Sequence, residues 1–324
     1  MKRRHITACL TGLALLAGLQ ATPALAAWPD KPITVVVPYA PGGTADALAR
    51  LISQHLSTRL NTPVVVQNRA GASGMIGAGS VAQAPADGYT VLYDATPLSI
   101  NPHLMQKMPF DAQKDLQPVT LVGVTPMLVT VHKNSPYNTL QDLIKAGKAN
   151  PGKITFGSGG QGTVQYMAAE LFNQAMGTKM LHVPYKSGGL ALTAALAGEV
   201  DMGFGNLPAI SSQVKAGMLK PLAITAAQRH PLYPDVPTIA EAAIKGYEAH
   251  EWNGMFVPAG TPADIVNRLN AAVREVLATP EVKARFDGLG SRIVASSPED
   301  FRKFLVTDFG KWGQTVKAAG IQKE

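Results

Sequence analysis

A short stretch near the N-terminus joins an apolar strand directly to a helix and limits the folds open to the chain. The β-branched run Val35–Val37 leads into Pro38, the turn Pro41-Gly42-Gly43 follows, and apolar residues then recur at helical spacing from Leu48 to Leu56. A strand, a glycine turn and a helix start in this order aim free backbone N–H groups and a positive helix end at one point. The stretch therefore predicts an α/β fold with an anion-binding turn.

The alternation of strand and helix continues along the chain. Strands are predicted at Ile33–Pro38, Val64–Val66, Tyr89–Tyr93 and Val119–Val122, and a second pass begins with Met127–His132. That pass has its own glycine turn, Ser158–Thr163, after the strand Ile154–Phe156. Thr139 with Asp142, and Ser297 with Asp300, predict two further helix starts. Strands alternating with helices favour a parallel sheet with helices on both faces.

Because the two passes share one plan, the sequence predicts two α/β lobes. Each is expected to hold a mostly parallel sheet flanked by helices, with a ligand cleft between them. We assign lobe 1 to residues 28–125 and 251–324, and lobe 2 to residues 126–250. The two crossovers, near Thr125 and Glu251, would form a hinge.

The first 26 residues have the pattern of a cleaved secretory signal peptide. A basic start at Lys2–Arg4 precedes an apolar run, and Ala24-Leu25-Ala26 is a cleavage site of the A-x-A type. Cys9, the sole cysteine, would be removed with it, so the mature chain would have no disulfide and no thiol nucleophile. The formal net charge of +7 would lose the charges of Lys2, Arg3 and Arg4 and become +4. This mildly basic net charge suits an anionic small ligand. The sequence has no basic cluster with interleaved aromatic residues, so it does not predict nucleic-acid binding.

Motifs of the common enzyme classes do not occur in a convincing form. Gly157, Gly159 and Gly162 fit the spacing of a dinucleotide loop, but the acidic residue expected about twenty places later is missing. The sequence has neither a phosphate-loop lysine motif nor a G-x-S-x-G elbow. Its histidines are scattered, without the paired spacing of metal ligands. We therefore predict no catalytic residue, no metal and no cofactor.

Candidate ligand-binding residues are those that follow the predicted strands, because ligands of open α/β sheets bind beyond the carboxyl ends of the strands. The candidates are Tyr39, Ala40, Gly42, Gly43, Thr44, Asp46, Asp94, Thr96, Ser158, Gly159, Gly160, Gln161, Thr163, Tyr185, Asn206 and Trp252. Two glycine turns facing each other would offer opposed backbone donors, which suits a carboxylate. Alternatively, the glycines only let the chain turn tightly into a helix.

Asp46 is interpreted first as support for the start of its helix, where a carboxylate is favourably placed against the dipole. Direct ligand contact by Asp46 is expected only if the ligand carries an ammonium group.

The combination of motifs resembles the Bug-type receptors of tripartite tricarboxylate transporters. The resemblance covers essentially the whole predicted mature chain, and it rests on Val37-Pro38-Tyr39-Ala40-Pro41-Gly42-Gly43-x-x-Asp46, Val66-x-Asn68-Arg69-x-Gly71-Ala72-x-Gly74, Val183-Pro184-Tyr185-Lys186 and Trp252-x-Gly254-x-x-x-Pro258-x-Gly260-Thr261-Pro262. It implies a periplasmic solute-binding protein of the type II, two-lobe kind, with mostly small organic carboxylates as ligands.

The resemblance also implies which residues hold the ligand. The loops Tyr39–Asp46 and Ser158–Thr163 would grip one ligand carboxylate through backbone amides, hydroxyls and ordered waters. Asp94, Tyr185, Asn206 and Trp252 are the candidates for its far end. We expect a non-enzymatic monomer that delivers its ligand to transmembrane permease subunits. The alternatives are a ligand-binding sensor for a signalling partner and a secreted hydrolase or isomerase of carboxylates.

Overall fold

The computed structural model of the protein describes residues 28–323. The predicted signal peptide, residues 1–26, lies outside the described residues. Among the helices of residues 28–323, none combines the length and the hydropathy that a membrane span requires.

The described residues form ten strands and eleven α-helices in alternation. The strands are β1 (Ile33–Val37), β2 (Val64–Asn68), β3 (Thr90–Ala95), β4 (Leu116–His132), β5 (Thr155–Ser158), β6 (Leu181–Pro184), β7 (Met202–Asn206), β8 (Leu219–Ile224), β9 (His250–Pro258) and β10 (Arg292–Ile293). The helices are α1 (Thr44–Leu60), α2 (Met75–Ala82), α3 (Pro97–Leu104), α4 (Leu140–Ala149), α5 (Val164–Met176), α6 (Gly188–Ala197), α7 (Leu207–Lys215), α8 (Ile239–Ala242), α9 (Ala263–Leu277), α10 (Pro280–Gly288) and α11 (Pro298–Ala318).

Local sequence signals fixed several of these boundaries. The strand, turn and helix predicted around Gly42 are β1 and α1. Thr139 caps α4 in a capping box with Asp142, and the Ser297 hydroxyl accepts the N–H of Asp300 at the start of α11. These predictions are confirmed, because each depends on residues within a few positions of one another.

The strands are arranged in the order β2-β1-β3-β9-β4-β7-β5-β6, with β8 and β10 also paired to β4. The trios β2-β1-β3 and β6-β5-β7 are parallel, whereas β4 and β9 run antiparallel to their neighbours. The predicted α/β fold is confirmed, and the parallel part of each sheet is three strands wide.

The two strands predicted at Val119–Val122 and Met127–His132 are one continuous strand, so the predicted break was wrong. In β4, residues up to Pro126 pair with β9, and residues from Met127 pair with β7. Gly123 interrupts the apolar pattern because a Cβ there would lie 2.7 Å from Phe286 Cε1 and 2.8 Å from the carbonyl oxygen of Arg292. The glycine therefore serves close packing, and not a turn.

The hydrophobic cores lie on the faces of the sheets. Val35 and Val37 pack in a different cluster from Val36, as the two-residue repeat of a strand requires. Around Phe172, the largest cluster combines residues of α5 and β5 with Trp312 and Val316 of α11. The C-terminal helix thus packs against predicted lobe 2, although its residues are assigned to lobe 1, and the lobe boundaries stay a prediction.

Asp308 links these cores through one buried carboxylate. Its Oδ2 accepts hydrogen bonds from Ser99 Oγ at 2.7 Å, Trp252 Nε1 at 2.8 Å and Trp312 Nε1 at 3.0 Å. Lys311 Nζ lies 2.9 Å from the other carboxylate oxygen. Trp252 and Trp312 belong to different hydrophobic clusters, so this carboxylate joins them.

We expect the Asp308→Ala substitution to lower the free energy of unfolding by about 3 kcal/mol or more, because it leaves two indole N–H groups buried without an acceptor. Asp308→Asn should cost less, since its amide oxygen can still accept both bonds. Urea denaturation measures the difference. The exposed Asp235→Ala is the control and should stay within about 0.5 kcal/mol of the wild type. A loss below 1 kcal/mol for Asp308→Ala would contradict this assignment.

Candidate functional site

A cavity of about 310 Å³ lies where β1, β3 and β7 end. Its size is at the small end of the range for ligand pockets, roughly 300–1,000 Å³. The lining residues are Tyr39, Gly43, Thr44, Ala45, Asp46, Ala95, Pro97, Thr125, Asn206, Pro208, Ala209, Glu251 and Asn253. Residues of both predicted lobes and of both crossover strands therefore meet around one small space.

Three helices begin at this cavity without a side-chain cap. Gly43, Thr96 and Asn206 are the cap residues of α1, α3 and α7, and none of them bonds the first turn through its side chain. Helices α2, α9 and α10 also lack such a cap, so what distinguishes the cavity is the convergence of three helix starts. The first-turn N–H groups of a helix have no partner within the helix and attract anions.

Among the three helices, α1 offers the most donors. Proline occupies the first turn of α3 at Pro97 and of α7 at Pro208, and proline has no N–H. The first turn of α1 contains Thr44 and Ala45 and no proline. The start of α1 is therefore the strongest anion-binding point of the cavity.

Asp46 is engaged by the chain itself. Its carboxylate accepts hydrogen bonds from the Gly42 N–H at 3.0 Å, Arg50 Nε at 3.1 Å and Asn68 Nδ2 at 2.8 Å. Burial alone would raise the pKa of Asp46, but the bonds from Arg50, Gly42 and Asn68 outweigh it and lower the pKa to about 2. The ionised carboxylate thus holds the glycine turn against α1.

Asp94 lies beneath the cavity wall, and it does not line the cavity. Tyr39 Oη donates a hydrogen bond to Asp94 Oδ1 at 2.7 Å, and the N–H of Ala95 donates to the same oxygen at 2.7 Å. Burial raises the pKa of Asp94 to about 7, although the bonds from Tyr39 and Ala95 act against this. Asp94 therefore positions the Tyr39 ring, which does line the cavity.

The glycine loop of predicted lobe 2 lies outside the cavity lining. Ser158 Oγ and His182 Nε2 are hydrogen-bonded at 2.8 Å, and Thr163 Oγ1 donates to the carbonyl of Gly160 at 2.7 Å. A Cβ on Gly162 would lie 3.3 Å from Asn101 Oδ1, so the loop touches α3 beside the cavity. None of the residues Ser158–Thr163 lines this cavity, so the cavity by itself does not join the two glycine loops.

The other candidates divide between the cavity and its surroundings. Five of them line it: Tyr39, Gly43, Thr44, Asp46 and Asn206. The others lie beside, beneath or away from it: Ala40, Gly42, Asp94, Thr96, Ser158, Gly159, Gly160, Gln161, Thr163, Tyr185 and Trp252. Trp252 is fully buried in the core and packs edge-on against Phe301.

Sequence reasoning missed the side chains of Thr125, Glu251 and Asn253. Thr125 of β4 is paired with Glu251 of β9, so both side chains project on one face of the sheet. The signal was the two-residue repeat: Trp252 and Phe256 pack in one hydrophobic cluster, which turns Glu251 and Asn253 to the opposite face.

A larger cavity of about 860 Å³ lies on the opposite face of the same strands. Val124, Pro126 and His250 line it, whereas their neighbours Thr125 and Glu251 line the smaller cavity. The larger cavity is formed mainly by the loop at residues 226–232 and by residues 290–293, which include β10, and it lacks the converging helix starts. We therefore assign the candidate site to the smaller cavity. Within residues 28–323, no group of three potential ligands could hold a metal ion.

Comparison with known proteins places the chain in one family of sequences and structures. A family model described as "Tripartite tricarboxylate transporter family receptor" matches residues 48–321. The periplasmic binding protein BugD is similar at 31% identity with a TM-score of 0.77, and the match covers 92% of this chain and 100% of that chain.

Two similar structures contain a bound ligand. Rpa4515 of R. palustris, solved with adipate, has 34% identity and a TM-score of 0.80 over 92% of this chain and 100% of its own. MatC from Rhodopseudomonas palustris, solved with bound malate, has 31% identity and a TM-score of 0.76 over 89% of this chain and 99% of its own.

We expect the stability contribution of Asp94 to depend on pH. Its pKa is higher in the folded chain than its ordinary value of 3.8, so the folded state binds more protons than the unfolded state between about pH 4 and pH 7. Stability should therefore fall as pH rises through this range, by at most about 1.4 kcal/mol per pH unit. The Asn side chain of Asp94→Asn does not titrate, so this variant should lose the part of the pH dependence of stability that Asp94 causes.

Urea denaturation at several pH values between 4 and 8 measures the effect. The free energy of unfolding of the wild type, minus that of Asp94→Asn, should decrease as pH rises. The exposed Asp235→Asn serves as the control. Parallel pH profiles for the wild type and Asp94→Asn would contradict the assignment of a raised pKa.

Proposed function

The chain belongs to the receptor family of the tripartite tricarboxylate transporters, and we propose that it captures a small organic carboxylate in the 310 Å³ cavity and delivers it to transmembrane permease subunits. Membership in this family makes the protein a solute-binding receptor, and not an enzyme. Its relatives Rpa4515 and MatC were solved with adipate and malate, which are both carboxylates.

The start of α1 in the cavity is the observation that carries this proposal. No basic side chain lines the cavity among the described residues, so a bound anion depends on backbone N–H groups and on the helix dipole. The first turn at Thr44 and Ala45 supplies both, and Gly43 lets a ligand approach the backbone closely.

We further propose that Ser158–Thr163 completes the site. This loop follows β5, whose neighbour β7 ends at the cavity, so both strands end at the same edge of the sheet. In this proposal, residues 28–125 with 251–324 and residues 126–250 are two lobes that close on the ligand. The receptor acts as a monomer that alternates between a free and a loaded form.

We propose that the mature protein is periplasmic and that the signal peptide is cleaved after Ala26. BugD, a periplasmic binding protein, supports this proposal. Expressed with its full sequence, the protein should be recovered from the periplasmic fraction with Ala27 as its first residue. Mass spectrometry of the intact protein checks this, and a chain that keeps Met1 in the cytoplasm would contradict it.

A ligand panel tests the proposed function. The chain from Ala27 onward, freed of co-purified ligand by unfolding and refolding, is tested with mono-, di- and tricarboxylates, aromatic acids and amino acids. A ligand at a hundred times its Kd should stabilise the folded chain by about 2.7 kcal/mol, which thermal denaturation detects. Neutral amides of the same acids are the control. If no carboxylate changes the melting temperature, the proposal fails.

We expect Gly43→Val to weaken binding of any carboxylate found in this way by at least tenfold. The backbone at Gly43 is extended, and a Cβ there meets nothing closer than the Ala40 carbonyl at 4.0 Å, so the fold should tolerate the change. Gly310→Val is the matched control, because Gly310 is exposed on α11, has open space where a Cβ would stand and belongs to neither the cavity nor a glycine loop. Equal affinity of both variants, by isothermal calorimetry, would remove α1 from the site.

A further inference from the structure

Glu251 is the one acidic side chain of the cavity wall whose charge the described chain does not balance. Asp46, the other lining carboxylate, is paired with Arg50. Glu251 accepts a hydrogen bond from Asn206 Nδ2 and forms no ion pair with any lysine, arginine or histidine of the described residues. A cavity assigned to an anion therefore contains an acid without a counter-ion.

Several buried polar atoms around this part of the cavity wall have no partner within the described residues. Asn206 Oδ1 is buried and accepts no hydrogen bond within the described residues, and the same is true of Asp94 Oδ2 beneath Tyr39. Two buried donors are also without a partner within the described residues: Asn253 Nδ2 and the Tyr93 hydroxyl, whose pKa is raised by burial and then by Glu251. Buried polar groups without partners are costly, so a ligand group that donates several hydrogen bonds would stabilise this region.

The electrostatics around Glu251 also favour a cationic group of the ligand. Burial raises the pKa of Glu251, and the bond from Asn206 offsets this only in part. Burial, Asp94 and then Glu251 raise the pKa of the Tyr39 hydroxyl, so both acids act on this one group of the cavity wall. A second carboxylate of a ligand would add repulsion here, whereas a cation would relieve it.

Building on the proposed function, we propose that Glu251 determines specificity by pairing with a primary ammonium group of the ligand, whose carboxylate binds at the start of α1. The ligand class is then an amino-carboxylate, and not a plain dicarboxylate. The ammonium group supplies three donors to Glu251 and the unpartnered oxygen of Asn206, and it neutralises the uncompensated charge. Thr125, paired with Glu251 across the strands, lines the same cavity.

Matched ligand pairs separate the two classes. We compare 3-aminopropanoate with succinate, 4-aminobutanoate with glutarate, and 5-aminopentanoate with adipate, because each pair differs only in an ammonium group replacing a carboxylate. The α-amino acids alanine, serine and glutamate test closer spacing of the two charges. Isothermal calorimetry at pH 7.5 with the chain from Ala27 onward should show at least tenfold tighter binding of an amino-carboxylate than of any of the dicarboxylates.

Glu251→Gln tests the role of the charge itself. The Gln side chain keeps an oxygen that can accept the bond from Asn206, so the variant should fold like the wild type. Its affinity for the preferred amino-carboxylate should fall at least tenfold, equal to about 1.4 kcal/mol, while its affinity for the dicarboxylates should stay equal or rise. The exposed Glu199→Gln is the matched control and should change neither affinity.

Each other outcome overturns the inference in a recognisable way. Tighter binding of dicarboxylates by the wild type would leave the proposed carboxylate receptor standing and reject the pairing with ammonium. An equal loss for both classes in Glu251→Gln would make Glu251 only a structural partner of Asn206. Failure of every carboxylate and amino-carboxylate to bind would reject the proposed function together with this inference.

Discussion

The antiparallel pairing of β4 with β9 is the constraint on which the rest of the molecule depends. These strands carry the chain between its two parallel trios, since β4 pairs with β9 as far as Pro126 and with β7 from Met127 onward. Their two-residue repeat places Glu251 toward one cavity and Trp252 in the core. A register slip of one residue would exchange these two side chains, which would bury a carboxylate among aromatic rings and expose an indole to the cavity.

The cavity offers a positive group to an anion at the start of α1 and a negative group at Glu251. The start of α1 offers N–H groups and a dipole to an anion, while its own acid, Asp46, is satisfied by Arg50, Asn68 and the glycine turn. Glu251 lines the same cavity and accepts a hydrogen bond from Asn206, but no cation of the described residues pairs with it. The start of α1 and Glu251 of β9 both belong to regular secondary structure, so they would orient a ligand that carries a negative and a positive charge.

Features that depend on neighbouring residues were predictable from the sequence. The bounds of β1 and α1, and the caps at Thr139 and Ser297, follow from patterns only a few residues long. The continuity of β4 was not predictable, because Gly123 and Pro126 look like breaks in an apolar run. Gly123 is explained by the close approach of Phe286 and of the Arg292 carbonyl, both more than 160 positions away in the chain.

The sequence alone determined the α/β class, the caps of α4 and α11 and the glycine turn that starts α1, because periodicity and capping act locally. Tertiary structure decided which side chains share the cavity. It placed Trp252 in the core and Asp94 beneath Tyr39, and it left Ser158–Thr163 beside the cavity lining. It also brought Glu251 opposite Thr125 and next to Asn206. Strand register and helix packing join residues that are far apart in the chain, and no local pattern specifies them.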